Sequence, residues 1–172
     1  EDIGTVGSFW ECNLTLTDPV PPFDFFDGQN PVYTHSRYLP PAKLNGARSS
    51  RVLMADGAIV DDSELTRCVV GVRSVIRGGS RLENVVMMGA DAFERPHDLA
   101  RNNSLGRPDI GVGPNCLIRN AIIDKNARIG EGCRLSPTGL PEKWETDALF
   151  VRDGVIVVKK GAIVPPGTVV GG

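Results

Sequence analysis

The run Ile122-Ile-Asp-Lys-Asn-Ala-Arg-Ile-Gly-Glu-Gly-Cys-Arg-Leu135 decides the fold. Its aliphatic residues Ile123, Ile129 and Leu135 fall six apart, and a small residue, Ala127 or Cys133, stands four after each of the first two. Gly130-Glu131-Gly132 supplies turn chemistry between them. A helix cannot keep one face apolar on a period of six, and a hairpin strand alternates strictly over a longer run. A solenoid of short parallel strands satisfies the period, with aliphatic residues stacked along the axis and small residues relieving the corners. Nothing in that repeat requires Lys125, which stands between Asp124 and Asn126.

The same template recurs on both sides. Met54 with Ala58 and Val60 with Leu65 open it, and after a break in register Val70, Ile76, Leu82 and Met88 keep the six-residue step. Val112 with Cys116 and Ile118 with Ile122 lead into the quoted run, and Val158 with Ala162 and Val164 with Thr168 close the series. These amount to about a dozen hexapeptides in three blocks. Residues 91–107, rich in charge, Asn and Pro, read as a loop protruding from the repeat body, and 136–152 as a second excursion. The expected class is mainly β, a parallel β-helix.

Ahead of the repeats, Val6, Phe9, Trp10, Leu14 and Leu16 follow helical spacing, with Gly4-Thr5 as N-cap and Pro19 as stop. This short helix must dock its apolar face on the repeat body or on another domain. The Pro-rich stretch 19–41, carrying Phe23, Phe25, Phe26, Tyr33 and Tyr38, reads as an extended, packed connecting arm. The opening Glu1-Asp2-Ile3-Gly4-Thr5 reads like the middle of a longer polypeptide.

Bulk properties restrict the function. The chain has 172 residues, 20 glycines, 13 prolines and 6% aromatics, a mix that favours turns and short strands. A net charge of −2 argues against a nucleic-acid partner held by bulk electrostatics. No apolar run approaches bilayer-spanning length, so no membrane partner is expected. A cytoplasmic protein is expected, plastidic in a plant. Cys12, Cys68, Cys116 and Cys133 form no CxxC pair, which disfavours zinc. Cys116 and Cys133 fill small-residue slots and read as buried, reduced thiols.

Neither a phosphate-binding Gly-rich loop nor a Ser/His/Asp constellation is present. His97, with Asp98 as orienter, is the one conceivable catalytic base, as an acyltransferase would need; a solvated loop histidine is the plainer reading. Arg37, Arg119, Lys125, Arg128, Lys159 and Lys160 are distant in sequence, but a solenoid can bring such cations onto one edge and make an anion site.

Several runs resemble ADP-glucose pyrophosphorylases (glucose-1-phosphate adenylyltransferases): Glu1 to Thr5, Asn13 to Leu16, Val32 to Lys43, Met88 to Asp91, and Ile122 to Gly130. The resemblance covers nearly the whole chain in order. It implies that the β-helix is left-handed, that residues 1–45 are the end of a nucleotidyltransferase domain with its connecting arm, and that 46–172 are a regulatory and assembly domain. It implies a family reaction of ATP with glucose 1-phosphate giving ADP-glucose and pyrophosphate for glycogen or starch synthesis. The expected partners are an N-terminal catalytic domain not contained in this chain, further subunits in a tetramer, and phosphorylated metabolite effectors. No catalytic residue is expected in this portion, which alone should be inactive. By resemblance Asp2 would help hold Mg²⁺ in the complete enzyme, and Arg37, Lys125 and Lys160 would contact effectors. His35, where relatives often have glutamine, would join them. The neighbours Lys159 and Lys160 compete for one motif position, and 140–149 departs from the family pattern. A non-catalytic scaffold that keeps this domain is the alternative.

Overall fold

A computed structural model of the chain describes residues 3–172. In chain order the elements are α1 (Val6–Thr15), β1 (Lys43–Asn45), β2 (Arg48–Met54), β3 (Ile59–Asp61), β4 (Glu64–Val70), β5 (Val75–Ile76), β6 (Arg81–Met87) and α2 (Pro96–Ser104). They continue as β7 (Gly111–Val112), β8 (Leu117–Ile123), β9 (Arg128–Ile129), β10 (Arg134–Leu135), β11 (Leu149–Arg152), β12 (Val155–Val158), β13 (Ile163–Val164) and β14 (Val169–Val170). Successive coils pair in parallel and make a three-sided β-helix.

Three columns of inward side chains form its core. Val60, Ile76, Val112, Ile129 and Val164 stack along the first face. Leu65, Leu82, Ile118, Leu135 and Val170 stack along the second. Met54, Val70, Met87, Ile123 and Val158 stack along the third. Ala127, Cys116 and Cys133 are buried between columns, as their small-residue slots predict. Gly130 lies where coils approach closely, and a Cβ there would run into the backbone of Pro166 on the next coil.

The repeat is not uniformly six. Between the second and third faces the inward residues fall five apart, as in Leu82 to Met87 and Ile118 to Ile123. Arg51, Arg67, Asn84 and Asn120 turn this corner inside a continuous strand, with φ of 54°, 52°, 54° and 48°. One left-handed residue bends the chain there. The Asn84 amide donates to Asn120 Oδ1 at 2.9 Å, bridging two such corners. The unit expected to start at Met88 is therefore displaced by one: Met87 points into the core, and Met88 joins the outer wall.

The third face is apolar on both sides, as its continuous runs such as Val85-Val-Met87 and Val155-Ile-Val-Val158 require. Outside it, Val69, Val86, Ile122 and Val157 meet Val6, Phe9, Trp10 and Leu14 of α1. The helix begins where expected: Thr5 Oγ1 accepts from the Ser8 amide at 3.1 Å in a capping box. Trp10 Nε1 donates to the Asn84 carbonyl at 2.9 Å. Trp10→Phe, which removes that donor, strands the carbonyl and gives up part of the indole's packing on the outer wall, is expected to cost about 2 kcal/mol in urea unfolding without loss of far-UV helix signal.

Both excursions differ from the loops expected. Residues 96–104 form α2, started by Pro96 in the first turn and by the Asp98 carboxylate accepting from the Arg95 amide at 3.0 Å. The segment is tied to the coil body near both ends, where Arg128 pairs with Glu94 at 2.8 Å and Arg77 with Asp109 at 3.2 Å. The second excursion returns as β11, antiparallel to β12, through Asp153-Gly154 at φ 53° and 71°. Both central residues are left-handed, as in the favoured two-residue hairpins. The expected packing of the arm is found only at its start, where Phe23 and Phe25 meet edge to face at 5.4 Å and line a cleft with Leu16, Val52 and Leu53; Phe26, Tyr33 and Tyr38 are 84%, 91% and 97% exposed. Within the described residues no helix is long and apolar enough to cross a membrane.

Candidate functional site

The corner between the third and first faces gathers most of the candidate residues. Extending the registers of the third face by two positions places Asp56, Val72, Gly89, Lys125 and Lys160 on successive rungs of one ridge. Backbone bonds fix this ladder, with the Asn126 amide on the Gly89 carbonyl at 3.1 Å and the Gly161 amide on the Lys125 carbonyl at 2.8 Å. Gly57, Arg73, Asn126 and Gly161 turn the corner, at φ 73°, 57°, 61° and 67°. Asn126 is thus explained by local geometry, since asparagine tolerates this region better than most side chains. Asp124 Oδ1 accepts from the Lys125 amide at 2.6 Å and trims the same turn.

Lys125 and Lys160 are consequently neighbours on adjacent rungs, where strand spacing is about 4.8 Å. Asp91 supplies the nearby negative charge. Its Oδ1 accepts from Lys125 Nζ at 3.2 Å and its Oδ2 from the Asn126 amide at 2.7 Å, while its own backbone N–H donates to Asn126 Oδ1 at 2.9 Å. The Asn126 amide, then the Lys125 ammonium and the charge of Lys160, hold the Asp91 carboxyl below its ordinary pKa. Sequence reading missed Asp91 as part of this site. The register supplies the signal, because it brings the residue after Ala90 beside Asn126.

His35 and Arg37 lie lower on the same ridge. With Asp56, Met54 and Val72 they line an open cleft of about 580 Å³. Val72 is two rungs from Lys125, about 10 Å at the usual strand spacing. His35 and Arg37 are both exposed.

The other expected cations are engaged elsewhere. Lys159 Nζ donates to Glu145 Oε1 at 3.0 Å and to the Thr146 carbonyl at 2.8 Å, pinning the second excursion. Glu145 also binds Arg152 at 3.0 Å; the Lys159 and Arg152 contacts hold its carboxyl below the ordinary range. The adjacent lysines are thereby differently engaged: Lys159 is held by the second excursion, and Lys160 stands on the ridge. Arg119 pairs with Glu83 at 3.3 Å on the second face, and Arg128 belongs to the Glu94 pair.

His97 is 71% exposed in the first turn of α2. Its neighbour Asp98 does both jobs open to it: Oδ2 accepts from the Arg95 amide at 3.0 Å and caps the helix, while Oδ1 lies 3.3 Å from His97 Nε2. Cys68, Cys116 and Cys133 are buried, and burial pushes the Cys68 thiol up to about 11. Asp2, expected to help hold Mg²⁺, lies outside the described residues. Among the described residues no group of three or more His, Cys, Asp or Glu side chains could hold a metal ion.

Comparison with protein families agrees with the architecture. The family model described as the GLGC left-handed parallel beta-helix domain matches residues 37–169, from Arg37 at the foot of the ridge to Val169 in the last strand. With three short-stranded faces, parallel coils and that match over most of its length, the chain belongs to the GLGC left-handed β-helix family and represents the C-terminal domain of ADP-glucose pyrophosphorylase.

Proposed function

We propose that this chain is the regulatory and oligomerisation portion of a glucose-1-phosphate adenylyltransferase, and that its Lys125–Lys160 ridge binds the phosphate group of an effector. The catalytic centre, with its ATP and Mg²⁺, belongs to the N-terminal domain of the complete enzyme, whose subunits assemble as a tetramer. The observation that carries the reading is the stacking of Lys125 and Lys160 on adjacent rungs. Asp91 offsets only one of the two lysine charges, so the ridge keeps a net positive charge that attracts a further anion. A phosphate dianion meets both with charge-assisted hydrogen bonds. Arg37 and His35 extend the same ridge and suit the remainder of a phosphorylated metabolite.

Calorimetric titration with inorganic phosphate tests this. Lys125→Ala and Lys160→Ala are each expected to weaken binding about tenfold, the size of one charge-assisted hydrogen bond. Lys159→Ala is expected to leave affinity unchanged and to lower stability through loss of the Glu145 contact. Unchanged affinity in both ridge variants would refute the site. Incubation of the chain with ATP, Mg²⁺ and glucose 1-phosphate should give no turnover; robust ADP-glucose formation would refute the division of labour.

A further inference from the structure

The ridge already contains an anion of its own. Lys125 and Lys160 occupy equivalent positions on adjacent coils, so the fold imposes their proximity. Asp91 is the carboxylate that answers both: it accepts from Lys125 Nζ at 3.2 Å and also feels the charge of Lys160. Asn126 holds it there from two directions, donating to Oδ2 at 2.7 Å and accepting from the Asp91 amide at 2.9 Å. This reciprocal pair fixes the carboxylate at the lysines, although Asp91 is the first residue of an insertion and its side chain is 56% exposed. A side chain needed only for solubility would not require such a clamp.

We infer that Asp91 is a resident counter-ion of the ridge, which an incoming phosphate must displace from Lys125 before it can engage both lysines. The inference rests on reading the ridge as an anion site. Its chemistry makes the site selective. A phosphate near neutral pH carries a charge of about −1.5 to −2 and three strong acceptor oxygens, against one charge and two oxygens for Asp91. A dianion therefore displaces the carboxylate, whereas a simple carboxylate ligand gains little by exchanging like for like. Asp91 in this way lowers affinity for every anion and excludes the weak ones. Asn126 keeps the displaced segment in place through its contact with the Asp91 backbone amide, so release of the carboxylate does not require the insertion to detach.

Phosphate and acetate titrations into the unmodified chain, Asp91→Asn, Asp91→Ser and Lys125→Ala test the idea. Asparagine preserves size but offers one acceptor oxygen where the carboxylate offers two, and serine removes the carboxylate differently, so agreement between them excludes a local folding defect. Both Asp91 variants are expected to bind phosphate about fivefold tighter, the effect of removing one screened like charge at a partly exposed site. Measurable acetate binding should also appear in them. The gain should vanish when Lys125→Ala is added to Asp91→Asn. Phosphate affinity that is unchanged or weaker in both Asp91 variants, while Lys125→Ala still weakens binding, overturns the counter-ion role and leaves the anion site standing. Unchanged affinity in Lys125→Ala overturns the counter-ion role, and unchanged affinity in Lys160→Ala as well overturns the anion site with it.

Discussion

Ile129→Ala is expected to destabilise the fold by about 3–4 kcal/mol, the upper part of the range for truncating a fully buried aliphatic side chain. Ile129 has no exposed surface and stands between Val112 and Val164 in the column of the first face. The coils above and below are fixed by backbone pairing and by the tight approach of Gly130 to Pro166, so neither can collapse into the space left. That rigidity places the cost above simple transfer of the lost methylene and methyl groups. Ile163→Ala is the matched control. It lies on the adjacent coil beside Arg128 but is 45% exposed, and should cost less than about 1 kcal/mol. Urea unfolding followed by circular dichroism measures both. Equal shifts in the two variants would show that the inward column does not carry the stability of the solenoid.

The alternation tested there was legible in the sequence because the quoted run is buried on a strict spacing. Ile123, Ala127, Ile129, Cys133 and Leu135 all fall where a six-residue period places them. The displacement at Met88 was not legible. It arises at corners made by Arg51, Arg67, Asn84 and Asn120 in left-handed geometry, and arginine announces no such corner. Helix α2 escaped for a different reason. Its fully buried residue is Asn102, whose amide donates to Glu94 at 2.7 Å and to Asp109 at 2.8 Å. A helix held by polar contacts leaves no apolar stripe for periodicity to detect. At the ridge, sequence and resemblance could name Lys125 and Lys160 but not choose between Lys159 and Lys160. The ion pair to Glu145 separates them, and that contact depends on how a long excursion folds back. Asp91 was hidden by the same circumstance, since a side chain at the start of an insertion acquires its neighbours only when the coils close.

Glu94→Gln is expected to loosen the segment 91–110 from the coil body at a cost of about 3 kcal/mol, at the low end for breaking a buried ion pair. Glu94 is only 10% exposed and its partner Arg128 13%. One carboxylate oxygen accepts from Arg128 at 2.8 Å and from Asn102 at 2.7 Å, and the other from the Ile110 amide at 2.7 Å. Glutamine keeps the shape but presents one oxygen and two donors to three donors, leaving Arg128 with the Pro108 carbonyl at 2.9 Å and no counter-charge. The pH dependence has a definite sign. Burial alone would raise the Glu94 carboxyl, but the contacts from Asn102, Ile110 and Arg128 prevail and hold it below its ordinary value of 4.5. A carboxyl depressed in the folded state contributes stability above its unfolded pKa and loses it as pH falls through the folded one. The unmodified chain should therefore release α2 only in acid below about pH 4.5, and part of that acid sensitivity should be absent from Glu94→Gln, which is already weakened at neutral pH. Hydrogen exchange at the α2 amides, followed from neutral to acidic pH, reads this directly. If exchange there is as slow in the glutamine variant as in the unmodified chain at neutral pH, the pair is not what fixes the insertion. The ridge supplies a second criterion, because Asp91 lies only three residues before Glu94 but has its own clamp on Asn126. Loss of the Glu94 contacts should leave phosphate affinity close to normal, whereas a matching loss of affinity would mean that the two ends of the insertion move as one.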